Sequence, residues 1–190
     1  SPARGPLAGG TLVSVFGTAF GGLSAITVGG VACTNFALYT PTEALCVTPA
    51  GVTGPANVVV TALGGSSAPA TFTYDNVPTV TAVKPSQGPL AGGTTITVSG
   101  SSFVNGSTTV RVGGQACTSV IHLSDAKLTC VTPAGSAGAQ SVVVNTPGGT
   151  SAPGSYTYDD VPTIASVAPG QGPLAGGTTI TITGTAFIAG

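Results

Sequence analysis

The chain has no tryptophan, no methionine and a single histidine, and only 5% of its residues are charged. Average soluble proteins carry roughly 25% charged residues. The polar surface must therefore consist of Ser, Thr, Asn and exposed backbone. A surface so poor in ions has little electrostatic defence against association, and it depends little on salt or pH. That suits an extracellular structural part better than a cytosolic enzyme.

The basic residues Arg4, Lys84, Arg111 and Lys127 are set singly, and the net charge is −1. Affinity for a phosphate backbone comes from several clustered cations, so nucleic acid is not an expected partner. The absence of Trp leaves few candidate platforms for stacking a sugar ring. No apolar run approaches the roughly 18 residues of a membrane span, so membrane insertion by this segment is not expected. No helix-length 3.6-residue periodicity appears, whereas Gly and Pro are abundant. The chain reads as all-β and rich in turns.

What is present is repetition. The stretch Gly-Pro-Leu-Ala-Gly-Gly-Thr stands at Gly5–Thr11, Gly88–Thr94 and Gly172–Thr178, at spacings of 83 and 84 residues. Each copy is followed by alternating apolar residues: Val13 and Val15, Ile96 and Val98, Ile180 and Ile182. Tandem copies of one domain produce such a pattern, and a Gly/Pro turn feeding a half-buried strand explains its local form. Cys33 matches Cys117, Cys46 matches Cys130, Val58–Val60 matches Val142–Val144, and Tyr74 matches Tyr158. Phe103 is expected to anchor the core, since Phe20 and Phe187 recur in its place.

The units are expected at 1–76, with its opening strand missing, at 77–160, complete, and at 161–190, the beginning of a third. The chain thus reads as a segment of a longer array. Six or seven short strands in about 84 residues, separated by turn signals, indicate an immunoglobulin-type sandwich.

The order of motifs in the second copy resembles the IPT/TIG domain, the immunoglobulin-like domain of plexins, related receptors and some transcription factors. Pro78 to Pro85, Gly88 to Gly100, Phe103, Val110 to Cys117, and Cys130 to Pro133 carry the resemblance, which extends over essentially the whole chain. It implies tandem immunoglobulin-like β-sandwiches. It leaves function open, because such domains occur in receptor stalks, surface proteins, carbohydrate-active enzymes and DNA-binding proteins.

Each full copy has two cysteines with twelve residues between them. The preferred reading is one disulfide per repeat, Cys33–Cys46 and Cys117–Cys130; a zinc site or buried thiols are the alternatives. A closed loop of about 14 residues stabilises a domain by roughly 3 kcal/mol in the chain-entropy model, and such bonds persist in oxidising compartments. Zinc wants four ligands, and no histidine recurs to complete the set.

Gly88–Thr95 lacks the Lys and the following helix of a phosphate-binding loop, so it reads as a turn. His122, Ser124 and Asp125 are neighbours on a segment expected to be a variable loop, over Thr118–Leu128, rather than a convergent triad; no catalytic residue and no cofactor is expected. Asp75-Asn76 and Asp159-Asp160 recur at the junctions and read as polar linkers with Asx turns. Calcium held there is the sharper alternative, limited by its need for six to eight oxygens. Asn105-Gly106-Ser107 is a glycosylation sequon in form, but Asn-Gly is also a hairpin turn signal, and the turn is the preferred reading. Phe72/Tyr74 and Tyr156/Tyr158 lie at period two, with at least one of each pair expected in the core; Tyr39 is a lone loop aromatic.

The functional expectation is a non-enzymatic structural segment of an extracellular or cell-surface stalk, adhesin or filament. Its partners would be neighbouring repeats and other copies of itself. Head-to-tail donation of the strand at Val161–Pro169 is one way copies could join. The alternatives are a module binding a glycan or surface receptor through its loops, and an accessory domain of a secreted carbohydrate-active enzyme.

Overall fold

The computed structural model describes residues 1–187. The expected third unit, 161–190, is therefore seen to Phe187, and its last three positions lie outside the described residues. Among the described residues every regular element is a strand.

The first repeat contains β1 (Arg4–Pro6), β2 (Leu12–Phe16), β3 (Ala25–Val28), β4 (Val31–Ala32) and β5 (Phe36–Thr40). It continues with β6 (Glu43–Val47), β7 (Gly54–Ala62), β8 (Gly65–Ser66) and β9 (Ala70–Asp75). The second opens with β10 (Thr79–Lys84), β11 (Gln87–Pro89), β12 (Thr95–Ser101), β13 (Thr109–Val112) and β14 (Gln115–Ala116). It closes with β15 (Thr118–Ser124), β16 (Lys127–Val131), β17 (Gly138–Thr146), β18 (Gly149–Thr150) and β19 (Gly154–Asp159). The third begins with a pair, β20 (Thr163–Ala168) and β21 (Thr181–Thr185).

In the second repeat one sheet runs β10-β12-β16-β15, and the other runs β11-β19-β17-β13-β14 with β18 on β17. The apolar alternation seen in the sequence is the inner face of this sandwich. Val83, Ile96, Val98, Leu128 and Cys130 come from the first sheet and meet Val110, Val112, Val142, Val144, Tyr156 and Tyr158 from the second. Phe103 is buried among them, as expected. The first repeat has the same arrangement, with Val13, Ala44 and Cys46 facing Ile26, Val28, Val58, Val60, Phe72 and Tyr74. Its smaller sheet has three strands, β2-β6-β5, without a partner equivalent to β10.

Two details depart from the expected pattern. The apolar alternation expected from Val77 through Val83 is interrupted, because the pairing with β12 shifts between Val80 and Ala82, and Val83 is buried while Val80 is only partly so. The expected loop at 118–128 is instead strand β15 and a tight turn into β16.

The recurring Gly-Pro-Leu-Ala-Gly-Gly-Thr stretch carries the chain from one sheet to the other. Its first residues form β11, parallel to β19 (Gly88 opposite Tyr158), and its end feeds β12. In between, Gly92 N–H donates to Pro89 O (2.9 Å), Gly93 N–H to Thr132 O (2.9 Å) and Gly135 N–H to Leu90 O (2.9 Å). The first repeat repeats these bonds from Gly9, Gly10 and Gly51. The turn is thus stitched to the Thr-Pro segment that follows the second cysteine.

Both aromatics of each period-two pair are buried, with rings meeting edge to face at 5.0 Å in the first repeat and 5.1 Å in the second. Tyr74 O–H donates to Pro49 O at 2.6 Å and Tyr158 O–H to Pro133 O at 2.5 Å. Burial pushes both phenols above the ordinary tyrosine range, against the opposing effect of Thr48 and Thr132 hydroxyls. The Tyr156 hydroxyl is buried with no hydrogen-bond partner among the described residues, and the first repeat has Phe72 in its place. An unpartnered buried hydroxyl costs about 1–3 kcal/mol and a typical hydrogen bond contributes about 1 kcal/mol. Tyr156→Phe is therefore expected to stabilise the second repeat by about 1 kcal/mol, and Tyr158→Phe to destabilise it by a similar amount. Denaturant midpoints of the two variants check this; shifts of the same sign would refute it.

Candidate functional site

Most of the residues singled out in the sequence lie at the cysteine pairs, the β15–β16 turn and the two junctions between repeats.

Cys33 follows β4 and Cys46 lies on β6; they are joined by a disulfide, with Cα atoms 5.8 Å apart. The matching pair in the second repeat differs from the expectation, since Cys117 and Cys130 are present as thiols. The neighbouring Cys130 thiol lowers the Cys117 thiol below its ordinary value, against the effect of burial. The same contact, burial and the Cys117 charge push Cys130 well above the ordinary thiol range. Cys117 is the partly accessible member and Cys130 is fully buried.

His122 and Ser124 lie on edge strand β15, and Asp125 begins the turn after it. His122 Nε2 is 3.2 Å from Phe103 O and 3.4 Å from Asp125 Oδ1. Ser124 Oγ accepts from Ala126 N–H at 3.3 Å, as an ST turn does. The hydroxyl is thus bonded within its own turn and the imidazole toward the Phe103 carbonyl. That arrangement orients a loop rather than activating a nucleophile. Gly88–Thr95 leads into strand β12 and offers no helix N-terminus to a phosphate.

The junction is where the polar residues converge. Arg4 Nε donates to Asp75 Oδ2 at 2.8 Å, and Arg4 Nη2 donates to Asp75 Oδ1, a bidentate pair bridging β1 and β9. The Asp75 carboxylate raises the Arg4 guanidinium above its ordinary value, against burial, and Asp125 adds to this from the second repeat. Thr53 Oγ1 donates to Asn76 Oδ1 at 2.8 Å. The end of β9 and the first linker residue, Asn76, are therefore held by the first repeat.

The second repeat approaches the linker backbone closely from the other side. A Cβ on Gly148 would lie 2.1 Å from the Asn76 carbonyl oxygen, and one on Gly149 would lie 3.5 Å from Val77 Cγ2. Only Asn76, Val77 and Pro78 separate β9 from β10. This geometry bears on calcium: both Asp75 oxygens already face a guanidinium, and Asn76 Oδ1 accepts a hydroxyl proton. Among the described residues no three of His, Cys, Asp and Glu stand together as a metal cage. At the next junction Gln87 takes the place of Arg4, and Asp159 and Asp160 line a cleft with Pro89, Val161 and Pro162.

The Arg4–Asp75 pair and the Gly148 seat were not visible to sequence reasoning, because neither recurs between the two full copies. Tyr39 is exposed, but on strand β5 rather than in a loop.

The chain is 30% identical over 192 residues to human Fibrocystin-L, a match covering 98% of this chain and 4% of that protein. It is 34% identical over 200 residues to mouse Plexin-B2, covering 98% of this chain and 11% of the relative. It thus spans a small fraction of the length of the curated relatives it matches. Among solved structures, the full extracellular region of Plexin A4 superposes with a TM-score of 0.55 at 24% identity, over 97% of this chain and 17% of that one. That likeness concerns the fold. The IPT/TIG domain model matches residues 1–74, 78–158 and 162–190, and the chain belongs to the IPT/TIG domain family.

Proposed function

We propose that this chain is a non-enzymatic structural segment of an extracellular or cell-surface stalk, adhesin or filament, built of three consecutive units, 1–76, 77–160 and 161–190. The observation that carries the reading is the junction, where a three-residue linker follows a latched Asp75, is bonded through Asn76 to Thr53 of one repeat, and passes close against a Gly-Gly turn of the next. A linker with no slack converts a string of domains into a rod, and repetition adds length without new chemistry. Membership of a family found in plexins, and likeness to a plexin extracellular region, support an extracellular setting.

Electron microscopy of the full-length protein tests it. Straight rods with an axial repeat of one or two domains are expected, and Gly148→Ala, which drives a methyl into the Asn76 carbonyl, is expected to bend them at the first junction. Flexible molecules with a separate head, unchanged by Gly148→Ala, would sink the reading and move function to that head.

The reading also holds that both cysteine pairs are closed in the native protein. Closing Cys117–Cys130 forms one S–S bond, passes two electrons to a disulfide-bearing oxidant and releases two protons. Alkylation of the unfolded protein without reductant is then expected to label none of the four cysteines, and with reductant all of them. Reduction should cost each full repeat roughly 3 kcal/mol. Labelling of Cys117 and Cys130 before reduction would confine the clip to the first repeat.

A further inference from the structure

We propose that Asn105 carries an N-linked glycan, and that this glycan stands over the junction between the first two repeats. The chain has five asparagines, and Asn105-Gly106-Ser107 is the one followed at the second position by Ser or Thr without an intervening Pro. Asn35, Asn57 and Asn76 lack the hydroxyl residue, and Asn145-Thr146-Pro147 lacks it as well. Such a sequon is an acceptor only on an accessible loop of a secreted chain.

The structure makes the turn and the acceptor compatible. Ser107 N–H donates to Val104 O at 3.1 Å, which places Asn105 and Gly106 at the centre of a β-turn, with Gly106 at φ +70°. Thr108 Oγ1 donates to Val104 O at 2.7 Å and accepts from Val104 N–H at 2.8 Å, so the loop is tied from behind. Asn105, Gly106 and Ser107 are all exposed. The turn hence keeps its shape without help from the Asn105 side chain.

The position is specific. Asn105 lines a cleft of about 410 Å³ with Arg4, Asp75 and Asn76 of the first repeat and Asp125 of its own. The first repeat has the shorter Gly21-Gly22 loop at this point, with no acceptor. A sugar here covers the ionic latch and adds a hydrophilic coat to a chain with 5% charged residues, which otherwise has little to keep copies apart.

The modification requires a polyprenyl-diphosphate-linked oligosaccharide. The Asn105 carboxamide nitrogen bonds to its anomeric carbon, the anomeric C–O bond breaks, the polyprenyl diphosphate leaves with the electron pair, and the amide loses one proton. The proposal rests on the extracellular reading, and the test separates the two.

Peptide mass spectrometry of the native full-length protein, with and without an amidase that removes N-glycans, reads Asn105 and the cysteines in one digest. The expected result is a glycan-bearing peptide whose Asn105 becomes Asp on treatment, together with the Cys33–Cys46 disulfide. An unmodified Asn105 beside oxidised cysteines overturns the glycan alone; an unmodified Asn105 beside reduced cysteines overturns both readings. In secreted full-length protein, Asn105→Gln and Ser107→Ala are each expected to lose the entire glycan mass. Ser107→Ala retains the asparagine, so glycan persisting in that variant would overturn the assignment even if Asn105→Gln failed to fold.

Discussion

Gly92→Ala is expected to lower the stability of the second repeat by about 2–4 kcal/mol, while Gly93→Ala, one residue on, loses about 1 kcal/mol. Both glycines have left-handed backbone, at φ +72° and +82°. A left-handed conformation costs an L-residue about 1–2 kcal/mol, and alanine recovers roughly 0.4–1 kcal/mol through the unfolded chain. For Gly93 that is the whole effect, because nothing lies within 4 Å of its Cβ position. For Gly92 the Cβ would stand 2.3 Å from Pro133 O and 2.4 Å from Pro133 C. Those are backbone atoms, held by Thr132 N–H to Thr94 O and by Gly135 N–H to Leu90 O, each at 2.9 Å. They have no rotamer by which to move away. Overpacking of this kind adds about 1–3 kcal/mol.

Amide exchange of Val142 and Val144, buried on β17, reads the second repeat apart from its neighbours. Equal losses in the two variants would sink the argument. If it holds, the most repeated stretch in the sequence is repeated because it crosses between sheets over a fixed backbone.

What was legible in the sequence followed from periodicity. The strands at Thr95–Ser101, Thr109–Val112 and Gly138–Thr146 have valine or isoleucine on one face, and their inner residues are the core. Phe103 and the cysteine positions were legible through recurrence. β15 was not, because two bulges in its pairing with β16 break the alternation and leave Ile121 and Leu123 exposed at a sheet edge. β11 was not, because a three-residue parallel strand written Gln-Gly-Pro carries no apolar pattern.

At the junction the difficulty was distance along the chain. Arg4 and Asp75 are separated by 71 residues and occur as a pair only in the first copy. An aspartate before Val-Pro therefore read as part of a polar linker, with a calcium ligand as the sharper alternative, when the fold brings a guanidinium to it. Gly148 stands in the sequence only as the match of Gly64. Its function shows only against the preceding repeat, and the matching Gly64 has nothing within 4 Å of its Cβ position.

Gly100→Ala is expected to release strand β10 and to lower the stability of the second repeat by about 3 kcal/mol or more. Gly100 lies opposite Val80 where the β10–β12 pairing shifts register, and its N–H donates to Ala126 O at 2.9 Å. The bulge brings the chain so close that a Cβ would stand 1.8 Å from Thr79 O and 2.8 Å from the Phe103 ring. One neighbour is backbone and the other a fully buried core side chain, so neither can give way cheaply. The third repeat has the same arrangement, since a Cβ on Gly184 would stand 1.8 Å from Thr163 O. In the first repeat, where no strand pairs β2 on that side, Gly17 meets only the Phe20 ring, at 2.7 Å. The close approach therefore belongs to the pairing of β10, not to the Gly-x-x-Phe turn as such. Detaching β10 uncovers Val83 and frees Val77-Pro78, so one methyl group loosens both the core and the inter-repeat linker. Amides of β10 are expected to lose exchange protection and the linker to become sensitive to protease, while Gly17→Ala in the first repeat costs less. Retained protection in β10 of Gly100→Ala would show that the strand can shift to accept the methyl group, and would remove the link between this glycine and the stiffness of the junction.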